Sequence, residues 1–349
     1  MKRKEISKPR KLQISVPSNE VPFEEFLTAS GILMTGDLLV NKDGVRVVSQ
    51  NNEKQTSLIN APDNQLLLSD IEAIKVIGKG SGGTVQLVKH KWTGQFFALK
   101  VIQMRIEDRE RKQIARELKI NQSSQCPYAV VCYQIFYDNG VISIVMEYMD
   151  GGSLADFLRK VKSIPEQYLA AICKQVLKGL VYLHHEKHII HRDLKPSNIL
   201  INHGGDVKIT DFGVSVVGTS TYGHQGTFIG TKSYMSPERI NGSIYGSKSD
   251  IWSLGLVCLQ LAQGQFPYPP FDSFFELLDT VVNEPAPQAS PEMFSPEFCS
   301  FISACLQKNP SDRSSAQVLL EHPFLGKYDD LSINLASYFS SLGRPLATF

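Results

Sequence analysis

Asp193, Lys195 and Asn198 lie within six residues of one another in "HRDLKPSNIL", a polar triplet set between apolar runs. Phosphoryl transfer asks for a carboxylate to orient the hydroxyl nucleophile, a cation on the migrating phosphoryl group, and oxygen ligands for Mg²⁺. Asp193, Lys195 and Asn198 supply these in turn. A plain polar turn is the poorer reading, because so many charged and polar groups beside core segments would need partners. Asp211 adds a second carboxylate in "VKITDFGVS", after a strand-like run and before Phe212-Gly213. A carboxylate on a flexible turn suits a metal ligand, although a β-turn aspartate is the commoner origin of a lone D-x-G.

Two further pieces have nucleotide chemistry. "IGKGSGGTV" runs through Ile77, Gly78, Lys79, Gly80, Ser81, Gly82, Gly83, Thr84 and Val85, with G-x-G-x-x-G at Gly78, Gly80 and Gly83. Glycines let backbone N–H groups approach and point at phosphate oxygens. A dinucleotide-binding turn would need a helix after the third glycine. "TVQLVKH" reads instead as a strand, so a hairpin over phosphates is expected. Lys100 sits between Leu99 and Val101 in the apolar "FALKV", where an unpaired ammonium is expensive. Glu117, beside the inward-facing Ile114 and Leu118 of the next amphipathic segment, is the expected partner, with Glu110 a weaker rival.

The elements that must position these groups change along the chain. Residues 1 to about 68 read as polar and irregular. From Leu66, "TVQLVKH", "FFALKVIQM" and "VISIVMEYM" read as strands, with a helix over 106–122 between the last two. Beyond Gly151-Gly152 apolar residues recur at three and four: Leu169, Ile172, Val176, Leu180 and Leu183 predict a helix of about five turns. Phe298–Leu306 and Ala316–Leu320 predict later helices. The expected fold is α+β, with a small β-rich lobe before a larger helical one and a ligand cleft between them.

Bulk properties narrow the function classes. The 349 residues are 42% hydrophobic and 20% charged, an ordinary globular balance. Lysine plus arginine number 36 against 35 acidic residues, so no global field points to nucleic acid or a membrane surface. No apolar run approaches the roughly 18 residues of a membrane span, and "IWSLGLVCLQLA" reads as a buried core helix. The basic N-terminus lacks the apolar core and cleavage site of a signal peptide. Six cysteines without a CxxC pair read as thiols of a reducing cytosol, so a cytoplasmic protein is expected, with nuclear import through the basic tail a further option.

G-x-G-x-x-G, FALK, HRDLKPSN, DFG and SPE, in that order, resemble the protein-kinase signature set over roughly Leu68–Phe324. The resemblance implies a bilobal kinase fold, with lobes at 68–149 and 150–325 between an N-terminal tail (1–67) and a C-terminal one (326–349). It implies that Ile77–Val85, Ala98 and Lys100 bind ATP, with Glu117 the helix glutamate. Asp193 becomes the catalytic base, Asn198 and Asp211 the Mg²⁺ ligands, Met146 the gatekeeper and Glu147–Met149 the hinge that meets adenine. Ser236 departs from the usual alanine before Pro-Glu, a small residue either way. Glu238 is expected to pair structurally with Arg313.

"YMDGGSLADFL", "FIGTKSYMSPERI" and "SDIWSLGL" are closer still to the mitogen-activated protein (MAP) kinase kinases. "GDLLVNKDGVR", "QFFALKVIQM" and "SPEFCSFISACLQKNP" resemble the plant members. That resemblance implies dual specificity, with a downstream MAP kinase as substrate and a MAP kinase kinase kinase upstream. A serine/threonine kinase with other substrates and a pseudokinase scaffold are the competing readings. The scaffold would be marked by loss of Lys100, Asp193 or Asp211, and all three are present.

"TSTYGHQGTFIGT", Thr219–Thr231, then occupies the activation segment. The plant pattern of two Ser/Thr residues separated by five others selects Thr221 and Thr227 as phosphorylation sites, with Ser220 and Thr219 rivals for the first. Thr231 is expected to contact Asp193 or Lys195. Upstream, Lys8, Arg10 and Lys11 precede Leu12, Ile14 and Val16, a basic cluster before alternating apolar residues that resembles a MAP-kinase docking motif. A solvated basic tail is the blander reading. The C-terminal "INLASYFSSLGRPLATF" carries no functional reading.

Overall fold

The structure is a computed structural model that describes residues 33–35, 38–47, 66–80, 83–103, 126–211 and 232–341. Its first element departs from expectation. Residues 33–47 are an antiparallel meander of β1 (Leu33–Thr35), β2 (Leu38–Asn41) and β3 (Gly44–Val47) packed against the later strand Cys132–Asp138, where an irregular tail was expected. The cause is turn chemistry. Asn41 Oδ1 accepts the Asp43 N–H at 2.9 Å, and Gly44 takes the positive φ of 119° that closes an N-K-D-G hairpin.

The small lobe is a five-stranded antiparallel sheet: β4 (Ile71–Gly80), β5 (Gly83–His90), β6 (Phe96–Gln103), β7 (Cys132–Asp138) and β8 (Val141–Glu147), in the order β4-β5-β6-β8-β7. The three strands read from sequence are β5, β6 and β8. Side chains alternate faces with period two. Val88, Phe97, Leu99, Phe136 and Val145 therefore share one buried cluster, and Lys100, one residue beyond Leu99, projects from the opposite face.

The large lobe begins with β9 (Gly152–Ser153) and α1 (Leu154–Val161), whose Ser153–Asp156 capping box satisfies two of its free N–H groups. The five-turn helix is α2 (Glu166–Val181), continued by a π-turn over Tyr182–Glu186. A small sheet then joins β9 to β10 (Ile199–Ile201) and β11 (Val207–Ile209). α3 (Pro237–Ile240) precedes α4 (Lys248–Gln263), which is buried all round as its composition required. Ile251, Leu254, Val257, Cys258 and Leu261 form the core with α2, α5 (Phe274–Asn283) and α6 (Pro296–Cys305).

Arg313 and Glu238 pair as expected. The guanidinium is fully buried and bidentate on the carboxylate at 2.8 and 3.0 Å, and it also donates to three backbone carbonyls. After α7 (Ala316–Leu320) and α8 (Pro323–Gly326), the C-terminal stretch folds back. α9 (Leu335–Ser340) is capped by Asn334, stacks Tyr338 on Tyr168 at 3.8 Å, and sets Phe339 edge-on to Phe157.

Candidate active site

The glycine-rich segment is a hairpin, as its strand-like flank predicted: β4 and β5 pair in antiparallel register, with Gly80 opposite Gly83. At Gly83 a Cβ would lie 2.2 Å from the Val101 carbonyl oxygen, so packing itself demands glycine. At Gly78 a Cβ would meet only Val85, at an ordinary 3.6 Å. Packing does not require that glycine, which leaves close approach of a ligand as its reason.

Register gathers the residues expected to bind nucleotide. Gly78 lies opposite Val85, Val85 opposite Lys100, and Ala98 opposite Met146. All share the sheet face that carries the Lys100 side chain. Glu147 and Met149 follow at the lobe junction, with Met149 buried. The carboxylate of Glu147 is turned away to a nearly buried ion pair with Lys208 of β11, at 2.6 Å, and also accepts the Val131 N–H.

Lys100 is 5% exposed and meets Asp211 Oδ1 at 2.7 Å. This satisfies the buried ammonium across the cleft, so its partner among the described residues is Asp211. Glu117 and Glu110, the partners weighed from sequence, lie outside the described residues. So do Ser81, Gly82, Thr221, Thr227, Thr231 and the docking residues Lys8, Arg10, Lys11, Leu12 and Ile14.

Asp193, Lys195 and Asn198 converge on one oxygen. Asp193 Oδ2 receives the Lys195 ammonium at 2.8 Å and the Asn198 amide N–H at 2.9 Å. Asn198 Nδ2 also donates to the Asp193 carbonyl, which leaves its amide oxygen as the ligand-capable atom. The Thr210 N–H bonds the Asn198 carbonyl at 3.0 Å, bringing Asn198 beside the chain that carries Asp211. Arg192 (φ 72°) and Asp211 (φ 59°) both hold left-handed backbone conformations disfavoured for their side chains.

What holds that backbone was missed from sequence. Asp250, fully buried at the start of α4, accepts the Arg192 N–H on Oδ1 and both the His191 N–H and His184 Nε2–H on Oδ2, at 2.8–2.9 Å. Burial pushes its carboxyl up, but the His184 hydrogen bond and neighbouring charge more than offset this and leave it below the usual range. The π-turn delivers His184 to this carboxylate. His191 Nδ1 accepts the Asp193 N–H, so its Nε2–H donates to the Thr210 carbonyl at 2.9 Å, linking the loops of Asp193 and Asp211. The available signal was a lone carboxylate in the apolar helix "SDIWSLGL", which cannot be buried without donors.

Residues 71–325 match the family model described as "Protein kinase domain". The chain is 65% identical to "Mitogen-activated protein kinase kinase SIPKK" of Nicotiana tabacum, over 100% of this chain and 99% of that protein. It is 62% identical to "Mitogen-activated protein kinase kinase 2" of Arabidopsis thaliana, over 100% of this chain and 97% of that protein. The chain belongs to the MAP kinase kinase family of protein kinases. A more distant family relative, "Dual specificity mitogen-activated protein kinase kinase dSOR1" of Drosophila melanogaster, is 42% identical over 77% of this chain and 74% of its own length.

A kinase domain of this family implies ATP and a divalent metal ion, and the residues present fit both. The Asp211 carboxylate and Asn198 amide oxygen are hard oxygen donors. A protein supply of one or two such ligands, completed by phosphates and water, is what Mg²⁺ accepts. The open position at Gly78 and the buried ammonium of Lys100 suit polyphosphate. Among the described residues no helix is long and apolar enough to cross a membrane, and all six cysteines are free thiols.

Proposed function

We propose that this chain is a dual-specificity MAP kinase kinase, phosphorylating the threonine and the tyrosine of a MAP kinase activation loop. Its likeness to MAP kinase kinases over the whole chain carries that reading. Bound ATP with Mg²⁺ would supply the γ-phosphoryl group. Asn198 and Asp211 would hold the metal ion. Lys100 would hold ATP phosphates, with Glu147–Met149 at adenine and Met146 behind it.

Asp193 orients the incoming hydroxyl and takes its proton. Its preorganisation by Lys195 and Asn198 supports this role, since those donors hold the carboxylate in a fixed orientation. Lys195, on the same oxygen, is placed to counter negative charge on the transferring group. The Lys100–Asp211 contact brings the group proposed for the phosphates and the group proposed for the metal within reach of one ligand in the cleft.

Control belongs to the same proposal. Phosphorylation of Thr221 and Thr227 by an upstream kinase switches the enzyme on, and Lys8, Arg10, Lys11, Leu12 and Ile14 dock the substrate. The compartment proposed is the cytoplasm. The test is transfer of labelled phosphate from ATP-Mg²⁺ to a catalytically dead MAP kinase by the activated chain. Transfer that vanishes in Asp193→Asn supports the reading. Equal transfer by that variant removes Asp193 from its role, and no transfer by the parent chain removes the activity.

A further inference from the structure

Lys208 stands in the middle of β11, between the fully buried Val207 and Ile209, and is itself only 9% exposed. It has no part in the chemistry described above. Its ammonium donates to Glu147 Oε1 at 2.6 Å. Glu147 is thereby held from three directions. Its N–H donates to the Val131 carbonyl at 2.9 Å, its Oε2 accepts the Val131 N–H at 3.3 Å, and its Oε1 takes the Lys208 ammonium. Val131 ends a strip of small-lobe chain that is fastened to the large lobe. The Val130 N–H donates to the Ile209 carbonyl, and the Ile209 N–H to the Tyr128 carbonyl, both at 2.9 Å. At Gly179 of α2 a Cβ would lie 2.9 Å from that same Tyr128 oxygen, so the strip runs directly against the helix.

Net stability does not explain the Lys208–Glu147 pair. Desolvation offsets most of the attraction in a buried ion pair, and apolar residues of similar volume often serve as well. What the pair supplies is geometry. Glu147 is the last residue of β8 and the first of the Glu147–Met149 hinge, so fixing its side chain fixes the start of that run. Side chains alternate along β8, which puts the Glu147 carboxylate on the face opposite Met146, behind the hinge strand. We propose that Lys208 is a positioning residue for the nucleotide: acting through Glu147, it holds the hinge peptide groups in place for the edge of adenine and touches no ligand itself. This rests on the reading that Glu147–Met149 meet adenine. Strand β11, with Val207 and Ile209 locked in the large-lobe core, is the fixed point from which the ammonium acts. Without the pair, the start of the hinge is tied to Val131 alone.

Nucleotide binding by the full chain tests this without a protein substrate. The probes are ADP with Mg²⁺ and adenosine, each displacing a fluorescent ADP analogue. Affinities are read well below each form's unfolding midpoint, so that only folded chains are compared. Lys208→Met leaves the Glu147 carboxylate buried without its cation. The double variant Lys208→Met with Glu147→Leu removes both charges and is the form expected to fold most like the parent. Both variants should bind ADP and adenosine at least fivefold more weakly than the parent, the scale of a coupling between contacting residues. The double variant should lose no more than Lys208→Met, because each residue acts through the other. Parental affinity in the folded double variant makes the pair merely structural and overturns the positioning role. A loss confined to ADP, with adenosine bound as in the parent, places the effect on the phosphates and overturns it as well. Failure of adenosine to displace the analogue from the parent chain is a separate result. It removes adenine from the hinge, and the positioning role falls with that reading.

Discussion

At the residue scale, the active-site loop is held by a carboxylate that touches no substrate. Asp250 gathers two successive backbone N–H groups and His184, and so fixes Arg192 in a conformation the chain would otherwise avoid. His184 is therefore a positioning residue, and its loss should reach Asp193 through the backbone. We expect His184→Leu to lower kcat by roughly 10- to 100-fold, the scale of a misplacement near 1 Å, with KM for ATP little changed. His184→Gln, which keeps an N–H donor, should recover most of the loss. A loss of thermal stability with kcat unchanged would make His184 merely structural. The chemistry-bearing residues themselves, Asp193, Lys195, Asn198 and Asp211, were legible because unlike polar groups at fixed spacing have few other reasons to coexist. The Asp250 network was not, because its partners are backbone N–H groups, which leave no side-chain signature.

At the element scale, α3 and the α6–α7 connection are joined by the Glu238–Arg313 pair. Burial alone would raise the Glu238 carboxyl, but Arg313 more than offsets that and holds it below its ordinary 4.5. The pair thus contributes fully above the unfolded carboxylate value and loses its contribution as pH falls through the folded-state value. Glu238→Gln should cost about 3 kcal/mol at pH 7, as expected for a buried charge left unpaired. That difference from the parent should shrink as denaturation is measured at progressively lower pH below 4.5. A difference constant with pH would remove the charge from the explanation.

The C-terminal element makes its own prediction. Phe339 is 5% exposed against Phe157, so Phe339→Ala should destabilise the chain by about 3 kcal/mol in denaturant unfolding. An unchanged midpoint would mean that α9 is dispensable. Helices α2 and α6 were readable from their 3.6-residue period. α9 and the 33–47 meander were not, because six residues or a run of three- and four-residue strands offer too little period. Asp-Gly at 43–44 was the one local signal of the meander's hairpin.

At the scale of the whole molecule, side-chain ion pairs of Lys100 with Asp211 and Glu147 with Lys208 span the two lobes among the described residues. The order of motifs made the bilobal architecture readable, since each motif serves one ligand and must converge on it. The contacts themselves depend on three-dimensional approach between residues 61 to 111 positions apart, which spacing alone cannot supply. Substrate choice is proposed to lie further out, in the N-terminal tail. Deleting residues 1–16 should raise KM for a MAP kinase at least severalfold while leaving phosphorylation of a short loop peptide unchanged. Equal KM for the two forms would dismiss docking.

Dual specificity toward a MAP kinase loop is tested by mass-spectrometric mapping of a catalytically dead MAP kinase after incubation with the activated chain and ATP-Mg²⁺. Phosphate is expected on both the threonine and the tyrosine of the loop, and on neither with the Asp193→Asn form. Phosphate confined to threonine or serine, or absent from the loop, would contradict it.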